Sequence, residues 1–158
     1  MRLNAGFTMV ELLVATGVVM LVLAGIGAGV TFSVRNTTFS KEKTLSVRYA
    51  QEAVEWLRNQ RDVLGWTAFY EVVSADGIQF NYCLDTLPSN IDDFVAINAE
   101  DEPITSGNCD PVENTEYIRS VEVEVVSAEE IDVKATVGWM NGSEFKTTEL
   151  NSVLKKWK

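Results

Sequence analysis

Residues 7–34 read FTMVELLVATGVVMLVLAGIGAGVTFSV, and this stretch decides the architecture of the chain. It contains 28 residues and a single ionisable side chain, Glu11. About 20 consecutive apolar residues suffice for an α-helix to cross the hydrocarbon core of a bilayer. We therefore predict a helix over residues 7–34 that spans a membrane or is buried against copies of itself.

The six residues before this helix predict how the chain is oriented and processed. Arg2 precedes the apolar run, so the positive-inside rule keeps the N-terminus cytoplasmic. The part of the chain after residue 34, which we call the head, is then exported from the cytoplasm. A secretory signal has its small-residue cleavage site after the apolar region and loses that region on maturation. Here Gly6 comes before the apolar run. Cleavage behind Gly6 would therefore keep the helix and make Phe7 the new N-terminus.

Glu11 is a candidate functional residue on physical grounds. A carboxylate inside a spanning helix costs about 2.5–3.5 kcal/mol and needs a partner. The apolar stretch contains no Lys, Arg or His, whereas cleavage would create an α-amino group on Phe7. This amine, from the same chain or from a neighbouring one, is the predicted partner. The alternative is that Glu11 lies near the membrane interface and interacts with the positive end of the helix dipole.

The junction resembles the class III leader of type IV prepilins and type II secretion pseudopilins. The matching residues are Gly6-Phe7-Thr8-Met9-Val10-Glu11-Leu12-Leu13-Val14-Ala15. The resemblance implies that a prepilin peptidase cleaves between Gly6 and Phe7 and that Phe7 is N-methylated. It also implies that Glu11 pairs with the Phe7 amine of an adjacent subunit and sets the axial register. The implied partners are other pilin subunits, bound through helix 7–34, and an inner-membrane assembly platform.

Small residues in the apolar stretch offer a second packing signal. Gly25 and Gly29 form a small-xxx-small pair, which lets helix backbones approach closely. Glycine is also common in membrane helices in general, so both interpretations stand. Major pilins typically have a proline where this chain has Ala28. That departure favours a minor subunit.

The helix is predicted to continue as an amphipathic segment over residues 35–64. No Pro or Gly occurs in it before Gly65, and apolar residues recur at three- and four-residue steps. Residues 49–58 resemble a segment of PilV-type minor pilins and of related pseudopilins, as does the C-terminal part of the chain around Trp139 and residues 155–158. A generic amphipathic helix is the alternative for residues 49–58. The predicted packing face consists of Phe39, Leu45, Tyr49, Ala53, Trp56, Leu57 and Leu64.

Residues 65–115 are predicted to form a variable loop region with one or two short strands, at 78–84 and 94–97. Cys83 and Cys109 lie within it. Outside the cytoplasm such a pair predicts a disulfide, and two buried thiols are the alternative. Acidic side chains in this region could collect calcium, but they lack EF-hand spacing, so we predict a solvated loop without metal. These acids are Asp92, Asp93, Glu100, Asp101 and Glu102.

The period of the sequence changes to two in residues 116–158, which predicts three antiparallel strands. Val121, Val123 and Val125 alternate with acids, and residues 131–139 repeat the pattern. Asn141-Gly142 is a hairpin signal before a third strand from about Glu144. The turn leaves two registers open, in which Trp139 pairs with Glu144 or with Phe145. A long helix packed on a small antiparallel sheet gives an α+β chain with the fold of the pilins it resembles.

Composition restricts the classes of function. Residues 35–158 carry 12 basic and 22 acidic groups, which gives phosphate-binding surfaces little electrostatic support. The chain has no histidine, which removes Ser-His-Asp and Cys-His catalysis. We predict a structural filament subunit, neither an enzyme nor a cofactor-binding protein. The alternatives are a type II secretion or competence pseudopilin, or a surface-displayed binding module that uses the loop between residues 83 and 109.

Overall fold

A computed structural model describes residues 8–75, 79–96 and 109–157 of the chain. The chain divides into two compact units, Met1–Lys41 and Glu42–Lys158. The predicted α+β class is confirmed. The elements in chain order are α1 (Met9–Leu64), α2 (Trp66–Ser74), β1 (Gln79–Cys83), α3 (Ile91–Ala96), β2 (Ile118–Ser127), β3 (Glu130–Asn141) and β4 (Glu144–Lys155).

Local signals set both ends of α1. Thr8 precedes the helix, and its Oγ1 accepts a hydrogen bond from the Glu11 N–H at 3.3 Å, which satisfies one of the free donors of the first turn. Gly65 follows the helix with a φ of 78°, a conformation that glycine adopts without a Cβ clash. The predicted end of the helix at Leu64 is therefore confirmed.

In the second unit, α1 packs on the sheet through a face of mostly small side chains. Ser46 Oγ donates a hydrogen bond to Thr148 Oγ1 on β4 at 3.0 Å, and Arg58 Nη2 donates to Ser152 Oγ at 2.9 Å. The buried residues of α1 are Ser46, Ala50, Ala53, Val54, Leu57 and Arg61.

The predicted packing face of α1 is therefore correct only in part. Ala53 and Leu57 are fully buried, as predicted, whereas Tyr49 and Trp56 are half-buried at the flanks of the contact. Leu64 is 42% exposed, so its predicted burial is wrong. Apolar periodicity missed Ser46 and Ala50, because a helix that approaches a sheet closely needs small side chains at the contact and hydrophobicity does not report size.

The sheet has the order β1-β2-β3-β4, with every neighbouring pair antiparallel. Alternate residues of β3 face the core: all five of its predicted apolar residues are 2% exposed or less. These are Ile131, Val133, Ala135, Val137 and Trp139. Their partners on β2 include Val121 opposite Ala135 and Val123 opposite Val133, so the two strands present one apolar face together.

The predicted three-stranded sheet is corrected to four strands. β1 confirms the short strand predicted at 78–84, and it adds to the edge of β2 with Tyr82 opposite Val121. Tyr82 is 1% exposed, and its ring centroid lies 4.2 Å from that of Phe94. The sequence predicted this strand but not its place in the sheet, because that place depends on pairing with the distant strand β2.

Two short helices also replace predicted irregular chain. Phe69 and Val73 of α2 are buried one helical turn apart. In α3, Asn90 Oδ1 accepts a hydrogen bond from the Asp93 N–H at 2.9 Å, an N-cap, and Phe94 is buried. A strand over 94–97 is therefore wrong as far as Ala96, and Ile97 lies outside the described residues.

The β3–β4 hairpin turns one residue later than predicted. Asn141 pairs with Glu144, so Gly142 and Ser143 form the turn and Trp139 pairs with Lys146. Neither predicted register is correct. Gly142 has a φ of 65°, which a two-residue hairpin turn requires and which glycine supplies. Asn141 remains in the ladder because its side chain is bound elsewhere.

Candidate assembly helix and processing site

The N-terminal part of α1 exposes almost only apolar side chains. Met9 is 83% exposed, Leu21 76% and Phe32 74%, and the other large apolar residues as far as Val34 are exposed by more than half. In water this surface is unfavourable, because apolar area is stabilised by removal from solvent. Within the described residues, α1 is the one helix long and apolar enough to cross a membrane.

The polar groups of this stretch mostly bond within the helix itself. Thr16 Oγ1 donates to the carbonyl oxygen of Leu12 at 3.0 Å, and Thr31 Oγ1 donates to that of Gly27 at 3.0 Å. Such bonds satisfy a hydroxyl without water. Glu11 is different, because its carboxylate is exposed in the first turn of the helix.

The predicted processing residues lie outside the described part of the chain, whereas the predicted packing glycines lie within it. Gly6 and Phe7 lie outside the described residues, and so does the amine predicted to pair with Glu11. At Gly25 and Gly29 no atom of the described chain comes within 4 Å of an added Cβ, apart from the helix's own backbone. Packing within the described chain therefore does not explain why these two residues are small.

Cys83 and Cys109 form a disulfide, with their Cα atoms 5.4 Å apart. Cys83 is the last residue of β1, opposite Ser120 of β2, so the bond fastens residue 109 to the edge of the sheet. The segment between the cysteines is also held from the helix side. Trp56 Nε1 donates to the Pro88 carbonyl oxygen at 2.9 Å, and the rings of Trp56 and Phe94 are 5.3 Å apart.

A buried arginine links the disulfide-bearing segment to α1. Arg119 of β2 is 2% exposed, and its Nε and Nη1 atoms donate to the carbonyl oxygens of Leu84 and Tyr49, each at 3.2 Å. Nη1 also lies 3.5 Å from Glu52 Oε2. Burial lowers the pKa of Arg119 and the Glu52 carboxylate opposes this, so the carboxylate supports a charge that the core disfavours.

Of the five acids that were considered as calcium ligands, two lie within the described residues. Asp92 and Asp93 are exposed in the first turn of α3, while Glu100, Asp101 and Glu102 lie outside the described residues. Within the described ranges, no group of three or more His, Cys, Asp or Glu side chains is arranged to hold a metal ion.

Comparison with known families identifies the N-terminus. Residues 1–27 match the family model of the prokaryotic N-terminal methylation motif. The chain carries the class III prepilin leader of type IV pilins and pseudopilins. The comparisons with curated proteins and with solved structures gave no match. The predicted resemblance to type IV prepilins is thus confirmed, and the PilV-type subclass stays a prediction.

Two functional contacts of this pilin-like chain were missed by sequence reasoning. Thr8 caps the assembly helix, and the spacing Thr8-x-x-Glu11 is a recognised helix-start signal that could have predicted it. No sequence pattern predicted the buried role of Arg119, because the alternation of β2 predicts an apolar side chain at its position. Its role becomes visible only when the carbonyls of Leu84 and Tyr49 are brought beside it.

Proposed function

We propose that the protein is a structural subunit, a minor pilin, of a type IV pilus-like filament. A prepilin peptidase cleaves it between Gly6 and Phe7, and the new N-terminus is methylated. The apolar half of α1 then holds the subunit in the membrane and later packs in the filament core. The observation that carries this proposal is an exposed apolar helix that begins within the methylation motif.

Assembly uses the charge of Glu11. Its carboxylate is exposed near the start of α1, among side chains that offer it no cation. The Phe7 amine of an adjacent subunit neutralises it, and this pair fixes the axial position of one subunit against the next. Removing one partner of a buried ion pair costs about 3–5 kcal/mol, so the pair selects a single register.

The head is exported and remains outside the cytoplasm. The Cys83–Cys109 disulfide supports this location, since disulfides persist in oxidising compartments. The partners are other pilin subunits, the peptidase and an inner-membrane assembly platform. The helix stretch at Gly25 and Gly29 is the second packing surface, because small residues let neighbouring helices approach closely.

The replacement Glu11→Ala tests this function. We expect normal cleavage behind Gly6 and loss of most incorporation into filaments, measured by immunoblotting of sheared filaments and of whole cells. Glu113→Ala is the matched control, because Glu113 is an exposed glutamate of the head. Normal incorporation of the Glu11→Ala protein would contradict the charge-pair mechanism.

A further inference from the structure

The part of α1 directly after the apolar stretch carries four basic residues without an ion-pair partner in the described chain. They are Arg35, Lys41, Lys43 and Arg48, all exposed, and we call residues 35–48 the basic segment. The described basic residues beyond it, with the exception of Lys156, each have an acidic partner. These pairs are Arg58–Glu55, Arg61–Asp62, Arg119–Glu52, Lys134–Glu122, Lys146–Glu144 and Lys155–Glu130.

The one acid of the basic segment is directed into the head. Glu42 Oε2 accepts hydrogen bonds from Trp139 Nε1 at 3.2 Å and from Asn141 Nδ2 at 2.8 Å. Its negative charge is therefore engaged by the buried Trp139 and the half-buried Asn141 of β3 rather than by Lys41 or Lys43. The basic segment thus presents unneutralised positive charge, although the whole chain has a net charge of −10.

The directions of the basic side chains indicate the shape of their partner. At about 100° per residue in an α-helix, Arg35, Lys41 and Lys43 point in three well-separated directions around the axis. A protein partner would contact one face of the helix. Basic side chains on several faces are reached by a partner that surrounds the helix, and the surface of a membrane crossed by the preceding residues is such a partner.

We propose that the basic segment binds anionic phospholipid headgroups at the membrane surface next to the apolar stretch. Long basic side chains extend toward the headgroup layer while their stems stay on apolar surface. Juxtamembrane Lys and Arg are attracted to anionic lipid, and this attraction falls off within a Debye length. The inference rests on the proposed membrane anchoring, and it adds the lipid class that holds the subunit before assembly.

The test uses the purified full-length protein in vesicles of phosphatidylcholine and phosphatidylglycerol, two to one. After extraction in mild detergent, native mass spectrometry measures the share of phosphatidylglycerol among the retained lipids. We expect enrichment over the bulk composition. The double replacement K41Q/K43Q should lower the retained phosphatidylglycerol share toward its bulk value of about one third, because two of the charges that attract anionic lipid are removed.

The double replacement K155Q/K156Q is the matched control, since it removes the same charge at the other end of the head's sequence. It should leave the enrichment unchanged. Absence of enrichment in the wild type, or an equal loss in both double variants, would overturn the proposal. If instead K41Q/K43Q impairs only filament incorporation, the basic segment binds an acidic protein surface and the lipid proposal is wrong.

Failure of the proposed function gives a different result in the same material. A carbonate wash of the vesicles removes proteins that are bound only peripherally. Retention of the wild-type chain with no lipid preference contradicts the headgroup inference alone, whereas release of the chain contradicts the membrane anchor itself.

Discussion

The side-chain amide of Asn141 donates a hydrogen bond to the Glu42 carboxylate at 2.8 Å, and this contact joins α1 to the last ladder residue of β3. The same carboxylate oxygen accepts a hydrogen bond from Trp139 Nε1 at 3.2 Å. Trp139 is 2% exposed, so its N–H has no access to water. Glu42 therefore satisfies a buried donor and holds Asn141 before the hairpin turn.

Glu42→Ala should destabilise the head by about 1–3 kcal/mol, because Trp139 Nε1 and the Asn141 amide lose the charged acceptor that they share. Urea unfolding of the full-length protein in detergent, followed by tryptophan fluorescence, measures the change. Glu42→Gln keeps an acceptor oxygen and should lose less. Lys43→Ala is the control, since its side chain is exposed and unpaired in the described chain. Equal stability of Glu42→Ala and Lys43→Ala would show that the contact contributes nothing.

Gly138→Val should destabilise the β3–β4 hairpin, and Phe145→Ala should relieve most of that loss. The Phe145 ring lies over Gly138, with Cε2 at 2.9 Å from the position of an added Cβ and Cζ closer still. An overpacked site typically costs about 1–3 kcal/mol. A double-mutant cycle of unfolding free energies measures the coupling. Strictly additive effects would mean that the ring does not restrict this position.

Stability should fall at alkaline pH partly through Tyr117. Burial, followed by the Glu42 carboxylate, raises the pKa of Tyr117 above its usual value of 10.0. The folded state thus keeps a proton that the unfolded state releases, and this contribution is present below pH 10 and is lost as the pH rises through the folded pKa.

The Tyr117→Phe protein isolates that contribution. The difference in unfolding free energy between wild type and Tyr117→Phe, measured from pH 9 upwards, should shift against the wild type as the pH rises past about 10. Tyr70→Phe, at a half-buried tyrosine of α2, is the control. A difference that stays constant with pH would contradict the shifted pKa.

The sequence predicted the elements whose period is long and uniform. Apart from Glu11 and a few isolated hydroxyl side chains, residues 7–34 have no polar interruption, so the sequence predicted the helix. Gly65 marked the end of the helix. The alternation predicted the buried face of β3 and the burial of Val121 and Val123 in β2, whereas Val125 is only half-buried. These features depend on neighbours in sequence, and local spacing reports them.

Contacts between distant residues were not predictable in the same way. The turn register depends on Glu42, which is 99 residues from Asn141. The helix face depends on Ser46 meeting Thr148, 102 residues away, which requires small side chains where periodicity favours large ones. β1 was predicted as a short strand at 78–84, but its place in the sheet depends on pairing with β2, which is distant in sequence.

The candidate site divides along the same line. Gly6, Phe7 and Glu11 lie close together in the sequence, so the leader could be recognised from local spacing. The match over residues 1–27 agrees with this. The basic segment was not recognised, because its charges are unremarkable until the pairing of the other basic residues is known.

Mass spectrometry of the mature N-terminus tests the central claim most directly. Protein isolated from cells with an active prepilin peptidase should lack residues 1–6 and begin with Phe7 carrying one methyl group on its amine. An intact chain that still starts at Met1 under those conditions would contradict the account.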